Sequence, residues 1–158
     1  MVVFLLVTAL GSSFGSGLSA GQSKSVLVAA DSGEKQIKEA FDAWLAAVRT
    51  GTSDAVMKLY TKDAILLPTL SPTVANTPEL RKKYFDVFTA KKNLKGTVNE
   101  EHIRVFGDFA VNSGLYTFTY TEKGKTESVP ARFTYVYRKT PQGWLIIDHH
   151  SSKLPTGH

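Results

Sequence analysis

The chain has 158 residues, 42% hydrophobic and 21% charged, with a formal net charge of +5 and no cysteine. That length and balance fit one globular domain able to bury a core unaided, and the lack of cysteine excludes disulfides, thiolate metal sites and cysteine nucleophiles. The basic excess carries no nucleic-acid signature. Its one tight cluster, Arg81, Lys82 and Lys83 with Lys91 and Lys92, falls on an expected helix and reads as a solvated face, so no nucleic-acid partner is expected.

Residues 1–10 are an apolar run of signal-peptide length, too short to span a bilayer stably. A Gly/Ser-rich stretch follows, then a second apolar patch at 26–30, and the small residues Ala20 and Ala30 can each precede a cleavage. Residues 1–30 therefore read as a leader, disordered or cleaved, outside the fold. It points to a periplasmic, secreted or organellar (such as chloroplast) destination without stable membrane insertion, although no Lys or Arg precedes the apolar run. The alternative is a disordered leader of another origin.

The folded unit is expected over residues 31–158. Asp31 or Ser32 can cap a helix in which Ile37, Phe41, Trp44, Leu45 and Val48 recur at three- and four-residue steps, ending at Thr50-Gly51. A second short helix is expected from Ser53 to Tyr60, and a short strand from Asp63 to Leu67, stopped by Pro68. After a loop, Thr77-Pro78-Glu79 opens a third helix with a cap, a proline at the first position and an acid in the first turn. Its expected buried arc is Leu80, Tyr84, Phe85, Val87 and Phe88.

From Gly96 the pattern becomes strands: 97–106, 109–121, 126–139 and 144–152, divided by Gly107-Asp108, a turn at 122–125 and a turn at 140–143. Three successive hairpins make an antiparallel meander, so the layout is α+β with helices on one face of the sheet. Tyr116, Phe118 and Tyr120 share one strand face, as do Phe133, Tyr135 and Tyr137. On the last strand, alternation groups His149 and Ser151 with Leu145 and Ile147, and His150 and Ser152 with Ile146 and Asp148.

Most familiar chemistries find no support. His149 and His150 point to opposite faces, His158 lies at the tail, and His102 stands among Glu100, Glu101 and Arg104, so no three-ligand metal set emerges. There is no Gly-x-Ser-x-Gly elbow, phosphate loop or dinucleotide fingerprint. What remains is a polar cluster among aromatics, where buried tyrosines require hydrogen-bond partners. Packing alone remains an alternative for most of these aromatics, and a core-satisfied role remains one for His149.

The helix, short helix, Leu66-Leu67-Pro68-Thr69 loop, helix and meander, closed by Trp144 and by His149-His150-Ser151-Ser152 before Pro155, resemble the nuclear transport factor 2-like cone fold. This implies three N-terminal helices packed on a curved antiparallel sheet of four to six strands. Within that fold the chain resembles the calcium/calmodulin-dependent kinase II association domain. More narrowly, Leu66 to Ser71, Tyr84-Phe85, Tyr116-Thr117-Phe118, Val129-Pro130-Ala131-Arg132 and His149 to Pro155 resemble the iota class of carbonic anhydrases. The resemblance spans roughly residues 34–155.

The association-domain resemblance implies a pocket at Arg81, Tyr84, Tyr116, Tyr135 and Ser151, with Thr69 at its mouth and His149 brought in by strand alternation. The expected function is reversible hydration of carbon dioxide to bicarbonate, a lyase reaction. Thr69, Tyr84 and Ser151 would position water and bicarbonate, and His149 would relay the proton near neutral pH. Tyr116, Phe118, Phe133 and Tyr135 would form the substrate walls. No cofactor or metal is expected, with zinc or manganese as the second choice. His150, Ser152 and Arg132 would face a neighbouring subunit or the outer sheet surface, in a homodimer or higher homo-oligomer. The runner-up is a non-catalytic oligomerisation or small-ligand-binding association domain. A cyclase or isomerase of the same fold would need a carboxylate or histidine dyad in the cavity, and no acid is well placed for it.

Overall fold

The computed structural model describes the backbone of residues 20–155 and side chains from Ser32 onward, so most of the expected leader lies outside the described residues. Eight elements follow in order: α1 (Ala20–Val48), α2 (Ser53–Met57), β1 (Tyr60–Leu67), α3 (Pro78–Thr89), β2 (Lys92–Phe106), β3 (Phe109–Glu122), β4 (Lys125–Thr140) and β5 (Gly143–Lys153). The sheet order is β1-β5-β4-β3-β2. The meander is antiparallel as expected, and β1 lies parallel beside β5 at the edge.

Helix α1 starts at Ala20, so it runs through the apolar patch at 26–30, and neither Asp31 nor Ser32 is its cap. The expected apolar arc is the buried one: Ile37, Phe41, Trp44, Leu45 and Val48 all enter the core. Phe41 meets Phe133 at 4.9 Å and Tyr135 at 5.1 Å between ring centroids, which seats α1 on the sheet. Helix α2 stops at Met57, and Tyr60 begins β1 rather than ending a helix. Strand β2 likewise starts earlier than expected, at Lys92, with Asn93 in the left-handed region (φ 57°).

Thr77 caps α3 by accepting from Leu80 N–H at 3.3 Å, with Pro78 in the first turn, as the sequence indicates. The buried line of α3 is Arg81, Phe85 and Thr89, at four-residue steps. Leu80, Tyr84 and Phe88 pack at its flanks and Val87 is exposed, so the expected arc is rotated.

Two irregularities shape the inner face. In β5, Asp148 pairs Val136 while Ile146 pairs Tyr137, so Ile147 is an extra residue bulged out of the β4–β5 ladder. The bulge breaks strict alternation. Ile146, not Leu145 or Ile147, shares the inner face with His149 and Ser151, while His150 is exposed and Ser152 half-buried. In β1, Tyr60 pairs Ile146 and the next pair is Ile65 with Asp148, leaving residues 61–64 out of register. Arg81 fills that break. Its guanidinium donates to the carbonyls of Thr61 at 3.1 Å, Lys62 at 2.9 Å and Ala64. These are acceptors that a regular ladder would otherwise satisfy.

A third close fit is Gly114 on β3, paired with Glu101 beside the irregularity between Val98 and Glu100. A Cβ there would lie 2.0 Å from the Glu100 carbonyl oxygen, a backbone atom that cannot swing away. Gly114→Ala is therefore expected to destabilise the fold by about 3 kcal/mol, at the upper end of overpacking costs, measured by urea denaturation against wild type.

Candidate functional site

A cavity of about 230 Å³ lies between α1, α3, the loop after β1 and the helix-facing side of β3, β4 and β5. Its walls are largely aromatic and aliphatic, with Phe85, Phe88, Phe118 and Leu70 prominent. Polar groups enter from four elements: Thr69 from the loop, Tyr84 from α3, Tyr116 from β3, and His149 with Ser151 from β5. No Asp or Glu is among the lining residues, and the one lining cation is Lys91. Its ammonium sits 3.8 Å above the Tyr120 ring and 3.9 Å from Glu122.

Two polar chains converge here. In the first, Tyr116 O–H donates to Ser151 Oγ at 2.6 Å, and the Ser151 and Thr69 hydroxyls are hydrogen-bonded to each other. In the second, Trp44 Nε1–H donates to Tyr60 Oη at 3.1 Å, and Tyr60 Oη lies 2.7 Å from His149 Nδ1. Tyr135 stacks on the His149 ring, with centroids 3.9 Å apart and planes 19° from parallel. His149 Nε2 is buried without a hydrogen-bond partner. The Tyr135 hydroxyl is also buried; it interacts with Tyr116 electrostatically but makes no hydrogen bond of regular geometry.

Burial governs the electrostatics. It pushes the Tyr84 phenol up to about 12, and raises Tyr116, Tyr60 and Tyr135 further. It lowers His149 to about 3, with a smaller contribution from His150. His149 is thus a neutral imidazole across the physiological range. The physical cause is that a fully enclosed ring among Trp44, Tyr60 and Tyr135 loses the hydration its charged form needs.

Of the expected site residues, Thr69, Tyr84, Tyr116, Phe118, His149 and Ser151 line the cavity together. Phe133 and Tyr135 do not. Phe133 is enclosed between Phe41 and Tyr116, and Tyr135 lies against His149. They support the wall without forming it. Arg81 is also outside the lining set, committed to β1 carbonyls. Arg132 and His150 face outward, exposed as expected. His102 is exposed, paired with Glu100 at 2.7 Å. Trp44 and Tyr60 were absent from the expected set; the signal for them was that a buried indole and phenol each need a hydrogen-bond partner.

Among the described residues no three His, Asp or Glu side chains gather closely enough to hold a metal ion, so this donor set does not fit one. A shallow outer groove, lined among others by Val74, His150 and Lys153, shares Pro68, Leu70 and Ser151 with the cavity. Leu70 adopts a left-handed backbone (φ 59°) at that shared wall. Among the described residues no helix is long and apolar enough to cross a membrane.

A family model for the calcium/calmodulin-dependent protein kinase II association domain matches residues 33–155. A solved structure from Xanthomonas campestris, a proposed association domain of that kind, is 44% identical, covering 77% of this chain and 87% of the other with a TM-score of 0.72. A proposed dehydratase of the nuclear transport factor 2-like family from Streptomyces avermitilis is 19% identical, covering 80% and 99%, TM-score 0.72. A ketosteroid isomerase-like protein from Erwinia carotovora atroseptica is 19% identical, covering 78% and 97%, TM-score 0.64. The last two share the fold alone. A search of curated proteins finds no match.

The buried histidine has a thermodynamic signature. In the unfolded chain it binds a proton below about 6.5, whereas in the fold it resists protonation down to about 3. Between those values the unfolded state holds more protons, so stability falls as pH drops, by about 1.4 kcal/mol per pH unit. Above 6.5 the group contributes no pH dependence. Urea denaturation of wild type and His149→Asn at pH 7 and pH 5 is expected to show the wild-type advantage shrinking by about 2 kcal/mol at the lower pH. An advantage unchanged with pH would contradict the neutral assignment.

Proposed function

The chain belongs to the calcium/calmodulin-dependent protein kinase II association-domain family, and from that premise we propose that it is a self-associating domain that binds a small molecule in its cone cavity. We propose further that the molecule is carbon dioxide or bicarbonate, interconverted there without a metal. The observation that carries this reading is the linked Tyr116–Ser151–Thr69 hydroxyl chain ending in a largely aromatic and aliphatic, acid-free cavity. The resemblance to the iota class of carbonic anhydrases supplies the identity of the ligand.

The reaction consumes one water and one carbon dioxide and yields bicarbonate and a proton. Tyr116 donates to Ser151, and whichever of Ser151 and Thr69 donates to the other, one of their two hydroxyl hydrogens is left for a ligand oxygen. The Tyr84 hydroxyl lines the same space. In the proposed step, water held by Thr69 and Ser151 adds through its oxygen to the carbon. One C=O π-bond opens onto an oxygen that accepts hydrogen bonds from Tyr84 and the free hydroxyl of the Thr69–Ser151 pair, and the water's proton passes to solvent water at the cavity mouth. Tyr84, with its phenol raised to about 12, remains a neutral donor throughout. Apolar walls favour the gas, and low local polarity strengthens each hydrogen bond to the developing anion.

The family match itself favours a second reading, a non-catalytic oligomerisation or ligand-binding association domain. Exchange of oxygen-18 from labelled carbon dioxide, with and without chelator, separates the two. The expected result is chelator-insensitive exchange, reduced about a hundredfold in Ser151→Ala. Activity lost to chelator overturns the metal-free mechanism. No exchange in either condition, with self-association in the ultracentrifuge, establishes the second reading.

A further inference from the structure

Trp44 and Tyr60 carry no role in the hydroxyl chain, yet their hydrogen bonds end on His149. Tyr60 Oη accepts the Trp44 indole N–H at 3.1 Å, and its other partner, His149 Nδ1 at 2.7 Å, is the one acceptor offered to its own buried hydrogen among the described residues. Nδ1 is then an acceptor, and the ring proton of the neutral imidazole resides on Nε2. The ring is held in place from two sides. Tyr135 stacks on its face at 3.9 Å, and Trp44 meets it edge-on at 86°. A half-turn of the ring would put Cδ2 in the place of Nδ1 and lose the Tyr60 bond.

Nε2 is the polar atom this arrangement leaves over. It is buried without a partner, in a residue only 3% exposed that lines the cavity. An unpaired buried donor is destabilising, and a ligand oxygen that accepts from it removes that cost. We propose that Trp44 and Tyr60 fix His149 as a neutral Nε2–H donor, and that this N–H is a binding group for the oxygen of a carbonyl or carboxylate-type ligand, bicarbonate in the reading above. Only the ligand's identity rests on that reading. Trp44 and Tyr60 are positioning residues, acting through His149; Tyr60 lies outside the cavity lining and Trp44 borders it.

Imidazole nitrogen NMR of the full chain labelled with nitrogen-15 tests this, with carbon-13 bicarbonate as the probe. The wild-type spectrum is expected to show Nδ1 unprotonated and Nε2 protonated, with bicarbonate moving the Nε2 signal saturably. Tyr60→Phe is expected to lose the tautomer preference and to bind bicarbonate roughly tenfold more weakly, as loss of one oriented hydrogen bond implies. Tm and sedimentation of the variant report whether it remains folded, and the wild-type spectrum decides the tautomer even if it does not. A proton on Nδ1, an Nε2 signal unmoved by bicarbonate, or unchanged affinity in folded Tyr60→Phe overturns the proposal. Bicarbonate bound through Nε2 without oxygen-18 exchange leaves it standing and removes only the hydration reaction.

Discussion

A single inserted residue in β5, Ile147, sets which side chains the cavity receives. Because of it, Ile146, His149 and Ser151 all face the helices, and the alternation that would have paired His149 with Ile147 is broken. The neighbouring strand must answer the bulge, and β1 does so by running out of register between Tyr60 and Ile65. Arg81 makes that break tolerable by taking three β1 carbonyls. Tyr60, at the N-terminal edge of the break, then reaches His149. Bulge, break, arginine and tyrosine form one structural unit, and the histidine is its product.

What the unit achieves is a polar interior with almost no charge. Hydroxyls, an indole and an imidazole satisfy one another in two short chains. Each titratable member is pushed by burial towards its neutral form: phenols upward, imidazole downward. A cavity of this kind orients a ligand by directed donors rather than by net charge. Tyr84, Tyr116 and His149 stay neutral on this account through the physiological range, and so keep their hydrogen-bonding roles.

Much of this was legible in the sequence, and the failures share a cause. The α1 arc, the α3 cap and the hairpins follow from spacing and turn chemistry, which are local properties. The convergence of Thr69, Tyr84, Tyr116, His149 and Ser151 came through family resemblance, and the cavity contains all five. Ile147 was misread because a bulge is a property of two strands at once, invisible to alternation within one. Tyr60 was misread because its apolar neighbours Val56 and Met57 extend a helical pattern that tertiary pairing with Ile146 overrides. Arg81 looked like part of a solvated basic face. Its burial depends on carbonyls freed twenty residues earlier. Phe133 and Tyr135 share a face with cavity residues but are screened from the space by Tyr116 and His149, a depth that one-dimensional periodicity does not carry.

The wall between the cavity and the outer groove is one loop and one strand end thick, since Pro68, Leu70 and Ser151 border both. A molecule resting in the groove therefore touches the same chain segment that a ligand touches from within. Should either occupant shift the Pro68–Leu70 backbone, thermodynamic linkage makes the effect reciprocal: the groove occupant alters affinity inside by the same factor that the inner ligand alters affinity outside. Occupancy of the groove and occupancy of the cavity would then be two readings of one equilibrium rather than separate properties of the domain.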